Sequence, residues 1–341
     1  MTPRIPGRLR RRHRRVNLGS FFLAMREFLK RYWFMLGLVL VAGAALADVT
    51  GKTVAVGRWL KAHGGPDVVI ISIFFLSGLV LESKQIREGL GDVKGTLTSL
   101  SIIFIVSPLL AAVYSFLPLE SGILIGLFLV ASMPTTLSSG VVMTGAAGGN
   151  MAHALLITIC ANSLAVFTIP LALELLLPFA GSRQEIEINS LAIMIKIATR
   201  VLVPLTAGLL VRSHLPVVTM KMLKRANMAN QCLILSIVWM AMCHSRGAIL
   251  EGAGAILPVA AVTFTFHLGL VLAGLGLTRS LDIGPGRRES VIFMGGQKTL
   301  PLSIILQVAL FPQYGLALVV CVLHHVIHLI MDAYLVQKLR R

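Results

Sequence analysis

PTTLSSG (residues 134–140) and GGQKTLP (residues 295–301) each interrupt a long apolar stretch with polar and small residues. Pro134 lacks a backbone donor and its ring clashes with the preceding helical turn. The pair Gly295-Gly296 lowers the cost of leaving helical geometry. Unwound backbone at membrane depth is tolerated only where it is buried in protein or lines a wet cavity. We therefore predict that both segments are helix breaks at a binding site.

The composition around these segments is that of a membrane protein. The chain has 341 residues, of which 56% are hydrophobic and 13% charged, whereas soluble domains are roughly a quarter charged. The apolar stretches approach the roughly 20 residues that a helix needs to cross the hydrocarbon core. They are continuously apolar rather than alternating, which favours helices over a barrel. The sequence thus predicts an all-α integral membrane protein in contact with a lipid bilayer.

The hydropathy pattern predicts ten transmembrane helices. They cover residues 33–50, 67–83, 95–117, 121–145, 150–177, 189–211, 227–245, 252–277, 288–311 and 314–337. The longest linkers, around residues 50–66, 178–188 and 212–226, carry Gly, Pro or charge and are predicted to be loops.

Charge asymmetry predicts the orientation. With the N-terminus inside, only five of the 31 Lys and Arg residues fall in outer loops: Lys52, Arg58, Lys61, Arg183 and Arg246. Residues 1–32 form a basic cytoplasmic arm and residues 338–341 a cytoplasmic tail, so both termini are placed in the cytoplasm. The net charge of +17 lies at span ends, which argues against nucleic-acid binding. Short loops favour a bacterial inner membrane over other plasma membranes.

Ten spans divide into two five-helix repeats of opposite orientation, a common plan in secondary transporters. The first repeat covers residues 33–177 and the second residues 189–337, joined by an extracytoplasmic loop at residues 178–188. The two interrupted segments fall in the fourth helix of each repeat. Matching broken helices are where a transporter's binding site is expected.

Polar groups at the breaks are the first candidates for binding. Freed carbonyls and the hydroxyls of five residues could ligate a cation, and half-helix N-termini could face an anion. These residues are Thr135, Thr136, Ser138, Ser139 and Thr299. Nearby polar residues extend the set to Thr144, Asn150, Thr158 and Asn162, of which the last two lie one turn apart. The alternative is that the segments only kink helices or pack small faces.

Lys298 is a second candidate, since a lysine at mid-membrane costs about 2.5–3.5 kcal/mol on insertion scales. It could carry a coupling proton, hold a substrate anion, or stand as a fixed charge where a relative binds sodium. Snorkelling is the alternative. Lys196 and Arg200 share one face of the sixth span, and depth alone suggests Glu174 as the partner of Arg200.

The last span carries His324, His328 and Asp332 on one helical stripe, next to His325. This pattern fits a proton relay or a divalent-metal site. No HExxH-like span supplies further metal ligands, so histidines hydrogen-bonded within the bundle are the favoured interpretation. An intramembrane metalloenzyme stays a less favoured alternative.

Several stretches resemble the bile acid:sodium symporter (BASS) superfamily. They are FFLSGLVLES (74–83), MPTTLSSGVVMTGAAGGNMAHAL (133–155), the region of Asn162, GGQKTLPLS (295–303) and the closing HVIH (325–328). The chain is most similar to the SBF-like branch that groups bacterial sodium-dependent transporters with the divergent seventh member of the vertebrate bile-acid carrier family and fungal calcium-homeostasis relatives.

The resemblance implies a panel domain (spans 1, 2, 6 and 7) and a core domain (spans 3–5 and 8–10) in which broken spans 4 and 9 cross. It also implies a possible sodium ion at Ser138, Ser139, Thr158 and Gln297. This sequence departs from the sodium pattern, because Phe293 stands where sodium-coupled members carry a glutamate, and Lys298 follows Gln297. The hypothesis that follows is that Lys298 replaces the cation, which would make the protein proton-coupled, uniport-like or regulatory.

The sequence therefore predicts a secondary active transporter of a small organic anion, with sodium or proton coupling left open and no other cofactor. Its binding residues include Gln297, Lys298, Thr299 and His325. The alternative from another class is a non-transporting regulator of cation (calcium) homeostasis. The sequence predicts no enzyme activity and gives no oligomeric state.

Overall fold

The computed structural model describes residues 33–80, 92–136, 139–180, 189–214 and 220–340, and regular structure in these ranges is helical. The basic arm, most of the 178–188 loop and Ser138 lie outside them. The helices are α1 Trp33–Leu46, α2 Lys52–Ala62, α3 Gly65–Val80, α4 Val93–Phe116, α5 Ser121–Ser132, α6 Ser139–Ala146, α7 Met151–Ala180, α8 Ser190–His214, α9 Met220–Glu251, α10 Ile256–Ser280, α11 Arg287–Gly296, α12 Leu300–Leu310 and α13 Gly315–Leu339.

The helices have the length and polarity of membrane spans. In the described ranges seven spans are long and apolar enough to cross a bilayer, or eight if the bent pair α2–α3 counts as one. One of the seven is α11 and α12 taken together, and its apolar window is 94% buried inside the protein. The protein is therefore an all-helical membrane protein, and the count of ten spans stays a prediction.

Two predicted linkers are partly helical, and in the 212–226 linker residues 220–226 already belong to α9. Residues 52–62 of the predicted 50–66 linker form α2, which meets α3 at an angle of 73°. The carboxylate of Asp48 nucleates the helix by accepting hydrogen bonds from the amides of Gly51 (3.0 Å) and Val54 (2.9 Å). Hydrogen bonds from the Thr53 side chain and the Val54 amide hold the pKa of the Asp48 carboxyl below its ordinary value. Charge and Gly suggested a loop, but packing on α9 stabilises a helix.

Contacts between helices define two sets. α3 packs mainly on α8 and α9, and α2 packs on α9. Gly37 of α1 faces Leu235 of α9. We call α1, α2, α3, α8 and α9 the α3 group. α13 packs mainly on α5 and α10, and α11 packs on α10, α4 and α6. We call these six helices, together with α7 and α12, the α13 group. α9 meets α12 and α13 across the boundary, and α8 meets α7.

Within the α3 group, α3 and α8 touch backbone to backbone. A Cβ atom on Gly208 would overlap the carbonyl oxygen of Phe75, and one on Gly78 would overlap that of Leu205. Small residues of this kind allow close packing of helices in membranes.

We expect Gly208→Ala to destabilise the protein by about 2 kcal/mol, because the added methyl group must push two backbones apart. The matched control is Gly276→Ala on α10, where nothing lies within 4 Å of the new methyl group and helix propensity favours alanine. Thermal unfolding in detergent measures both. Equal melting temperatures for the two variants would refute the close-contact account.

The prediction that Glu174 is the partner of Arg200 is wrong. Its Nη2 atom donates to Oδ2 of Asp67 at 2.8 Å, which joins α8 to α3. Glu174 instead accepts a hydrogen bond from the hydroxyl of Ser190 at 3.2 Å. Span depth alone did not show that the first residues of α3 lie beside the middle of α8.

Candidate functional site

The two helix breaks lie side by side in the α13 group. The chain is extended at Met133, after α5, and at Gln297 and Thr299, between α11 and α12. The amide of Thr299 donates to the carbonyl oxygen of Pro134 at 3.0 Å, so one backbone hydrogen bond joins the breaks. These segments are the ones that the sequence predicted to be unwound.

Gln297 connects both breaks to the last helix. Its Oε1 accepts hydrogen bonds from the hydroxyls of Thr136 (2.7 Å) and Ser139 (2.8 Å), and its Nε2 donates to Oδ2 of Asp332 at 2.7 Å. A carboxylate only accepts and an amide nitrogen only donates, so Asp332 fixes the orientation of the amide group. The resemblance implied Gln297 as a possible sodium ligand, but its side-chain oxygen already accepts hydrogen bonds from two hydroxyl groups.

Lys298 is buried in a cage of backbone oxygens. Its Nζ atom donates to the carbonyls of Ile103 (2.9 Å), Met133 (3.0 Å) and Ala131 (3.2 Å), and the residue is 2% exposed. Ala131 and Met133 lie at the C-terminal end of α5, where carbonyls lack helical partners and the helix dipole is negative. Ile103 lies in the π-helical turn Ile102–Val106, where the regular α-helical ladder is interrupted. Three acceptors match the three hydrogens of an ammonium group.

A buried cluster of titratable side chains adjoins Gln297. Oδ1 of Asp332 lies 3.0 Å from Nε2 of His267, and Nδ1 of His325 lies 3.0 Å from Nε2 of His328. The ring centroids of His267, His324 and His328 are 5.3 to 5.8 Å apart. The stripe on α13 was predicted, but no local pattern indicated that His267 of α10 would lie beside it. In the described part of the chain, no three His, Cys, Asp or Glu side chains are arranged to hold a metal ion.

Two predicted binding residues have local structural roles. The hydroxyl of Thr144 donates to the carbonyl of Gly140 within α6 at 2.8 Å. The side chain of Asn150 caps the N-terminus of α7 by accepting from the amide of His153 at 3.1 Å.

The α7 residues lie beside the first break. The hydroxyl of Thr158 donates to the carbonyl oxygen of Ala154 at 2.9 Å. It lies 3.5 Å from the carbonyl oxygen of Thr136. Asn162 donates to the carbonyl of Thr158 at 2.9 Å, and its Oδ1 is buried without a hydrogen-bond partner among the described residues, as is the hydroxyl of Thr135. One buried polar atom of α7 and one of the first break are therefore not hydrogen-bonded to any described residue.

A cavity of about 430 Å³ lies between the α3 group and the α13 group. Four predicted residues line it, whereas Gln297 and Lys298 do not; the four are Thr136, Ser139, Thr299 and His325. Polar residues that were not predicted line the side of the cavity opposite the helix breaks; they are Ser77, Asn227, Asn230 and Gln231. The spacing of Asn227, Asn230 and Gln231 is a helical-face signal that could have found them. The described lining residues include no Lys, Arg, Asp or Glu.

Comparisons with known proteins identify a family of transporters. A family model described as the SBF-like CPA transporter family matches residues 32–341. The Xenopus laevis protein "Sodium/bile acid cotransporter 7-A" is 26% identical over 337 residues, which is 93% of this chain and 94% of that protein. The Oryza sativa subsp. indica protein "Probable sodium/metabolite cotransporter BASS4, chloroplastic" is 29% identical over 90% of this chain and 75% of its own.

The resemblance inferred from the helix breaks is thereby confirmed. A match over residues 32–341 covers every described helix and both breaks. The chain belongs to the SBF-like CPA transporter family, within the bile acid:sodium symporter superfamily, and is a membrane transporter rather than an enzyme.

Proposed function

We propose that the protein is a secondary transporter that carries a small, amphipathic organic anion through the cavity between the two helix groups. The observation that carries this proposal is the position of the 430 Å³ cavity, which contacts both breaks on one side and α3 and α9 on the other. Movement of the α13 group, as core, against the α3 group, as panel, would expose the cavity to alternate sides. Two inverted repeats of five spans and cytoplasmic termini in a bacterial inner membrane complete the proposal.

The N-terminus of α12 supplies the anion site. Thr299, Leu300 and Pro301 line the cavity, and the side chain of Thr299 makes no capping bond to α12. Pro301 has no amide hydrogen and the amide of Thr299 donates to Pro134, so the amides of Leu300 and Leu302 and the positive end of the helix dipole would bind a carboxylate or sulfonate. Apolar side chains such as Phe34 and Phe74 form the remaining wall, which favours an amphipathic substrate. Bile acid appears in the names of several relatives and has this chemistry.

The coupling ion proposed for this chain differs from the sodium ion in its relatives' names. Those names specify sodium, yet the ammonium group of Lys298 already occupies the carbonyl cage beside the breaks. The buried pair Asp332–His267 is hydrogen-bonded to the break through Gln297. A pair of this kind can exchange a proton without a metal ion. We therefore include proton coupling in the proposed function.

The test is counterflow in proteoliposomes made with purified protein, with taurocholate as the probe. Its sulfonate stays ionised, so it does not cross the bilayer as a neutral acid. Saturable exchange of internal for labelled external taurocholate is expected. A purified, folded protein that exchanges neither taurocholate nor any other organic anion of a broad panel would contradict transport and favour the regulator alternative.

Filling the cavity should stop transport without unfolding the protein. We expect Ala333→Trp to abolish counterflow, because Ala333 lines the cavity and an indole ring occupies the space of the substrate. The matched control is Ala44→Trp, on the exposed face of α1. Both variants should keep near-wild-type melting temperatures, and wild-type exchange by Ala333→Trp would place the substrate route elsewhere.

A further inference from the structure

Basic residues gather where α2 packs on the C-terminal end of α9. Five Lys and Arg residues are predicted to lie in outer loops; Arg183 falls outside the described residues, and the other four belong to α2 or to the end of α9. These four are Lys52, Arg58, Lys61 and Arg246. Since Lys and Arg are otherwise sparse on the outer side of a membrane, their concentration at one place points to a negatively charged partner there.

Two guanidinium groups are held in place through one nitrogen atom each. Nε of Arg58 donates to the carbonyl oxygen of Cys243, and Nε of Arg246 donates to that of Leu46, both at 3.2 Å. Their terminal nitrogens donate to no described residue. Lys61 follows Arg58 by three positions and so lies on the same face of α2. We call Arg58, Lys61 and Arg246 the basic patch.

The basic patch has no carboxylate counter-ion among the described residues. The described ion pairs of Asp and Glu involve other cations, such as Arg200 with Asp67. Asp48, beside α2, already caps the N-terminus of that helix. His244 lies within electrostatic reach of Lys61 and Arg58 and would add to the positive charge when protonated. The positive charge at this place is therefore not balanced by the described part of the chain.

An apolar surface adjoins these charges. α2 meets α3 at 73°, so it runs along the membrane surface if α3 crosses the bilayer. Val56 and Trp59, on one face of α2, are 52% and 58% exposed. Tryptophan is typical of the membrane interface, and interfacial helices with Lys or Arg attract anionic lipids. A phospholipid contacts both the charges and this apolar surface, whereas a small soluble anion contacts only the charges.

We propose that the basic patch binds the headgroup of an anionic phospholipid whose acyl chains lie against α2. The site is separate from the cavity, because Ile234, the last residue of α9 that lines the cavity, lies roughly 14 Å before Cys243 along the helix axis. Lys61 also lines a narrow crevice with Ile304 of α12, so a bound lipid lies at the boundary between the two helix groups. The inference does not depend on the proposed transport.

The experiment measures quenching of Trp59 fluorescence by phospholipids brominated close to the headgroup. Trp33→Phe and Trp239→Phe leave Trp59 as the one tryptophan of the parent variant. Bilayers mix phosphatidylglycerol with phosphatidylcholine, and only one of the two is brominated in each sample. Both leaflets have the same composition, so the direction in which the protein inserts does not affect the result.

We expect the parent variant to favour phosphatidylglycerol by about tenfold, a ratio in keeping with basic side chains at an anionic lipid surface. Arg58→Gln combined with Lys61→Gln should remove the preference. Arg58→Lys combined with Lys61→Arg keeps both charges and should keep it. The matched control removes two exposed charges elsewhere, Arg279→Gln on α10 and Lys338→Gln on α13, and should also keep it. Native mass spectrometry of the wild type, with its tryptophans intact, should show the same preference.

Four results would overturn the inference. Equal affinities of the parent variant for both lipids would show that the site does not select anionic lipids. A preference that survives Arg58→Gln with Lys61→Gln would place the selecting charges elsewhere, and loss of the preference in the control would assign it to overall charge. Displacement of phosphatidylglycerol by glycerol phosphate, which has no acyl chains, would assign the basic patch to a soluble anion.

Discussion

Lys298→Met is expected to lower the melting temperature by about 10 °C and to make stability depend on small monovalent cations. Removal of the ammonium group takes the side-chain donor from the buried carbonyls of Ile103 and Met133, at about 1–3 kcal/mol each, whereas the carbonyl of Ala131 still accepts from the hydroxyl of Ser107 at 3.0 Å. A shift of that size follows from the usual scaling between free energy and melting temperature. Sodium or potassium ions can then bind the carbonyl cage and restore part of the loss.

The control for this prediction is Lys338→Met, since the ammonium group of Lys338 is exposed and lies 5.5 Å from the ring centroid of Tyr334. Melting curves in sodium, potassium and N-methylglucamine salts distinguish the outcomes. Sodium should stabilise only the Lys298 variant. A variant as stable as wild type in every salt would show that the cage does not require a positive charge.

Asp332→Asn is expected to abolish accumulation of substrate driven by a pH gradient and to retain counterflow. Asparagine keeps the shape of the side chain and its acceptor for Nε2 of Gln297, and Nε2 of His267 can serve either as donor or as acceptor for the new amide group. Only the ionisable carboxyl group is lost. We expect accumulation ratios to fall about tenfold or more, to the level of simple equilibration.

The matched control is Asp282→Asn in the exposed turn after α10. Its backbone φ is 48°, a conformation that Asn tolerates well. Labelled taurocholate uptake under an imposed pH gradient measures both variants beside wild type. Undiminished accumulation by Asp332→Asn would remove Asp332 from the coupling mechanism.

Both breaks could be predicted from the sequence because their causes are local. Pro134 and the Gly295-Gly296 pair interrupt helices wherever they occur, and the extended backbone at Met133 and Gln297 follows directly. The apolar periodicity likewise placed helices in the predicted spans. α2 was missed because its stability depends on packing against α9, which is distant in the sequence.

The site itself was only partly predictable. Thr136 and Gln297 were singled out separately, but their contact across 161 positions depends on tertiary packing. Asp332 was recognised as part of a stripe, and nothing local indicated that it would bind Gln297. The carbonyl partners of Lys298 are backbone atoms, so no residue type in the sequence could identify them.

We propose that this transporter moves an organic anion with Lys298 in place of a bound cation. The most direct measurement is taurocholate uptake by wild-type proteoliposomes in sodium-free buffer under an imposed pH gradient, beside protein-free liposomes and a parallel sodium gradient at equal pH. We expect accumulation above equilibrium with the pH gradient alone and none with the sodium gradient alone. Accumulation that requires the sodium gradient and ignores pH would contradict it.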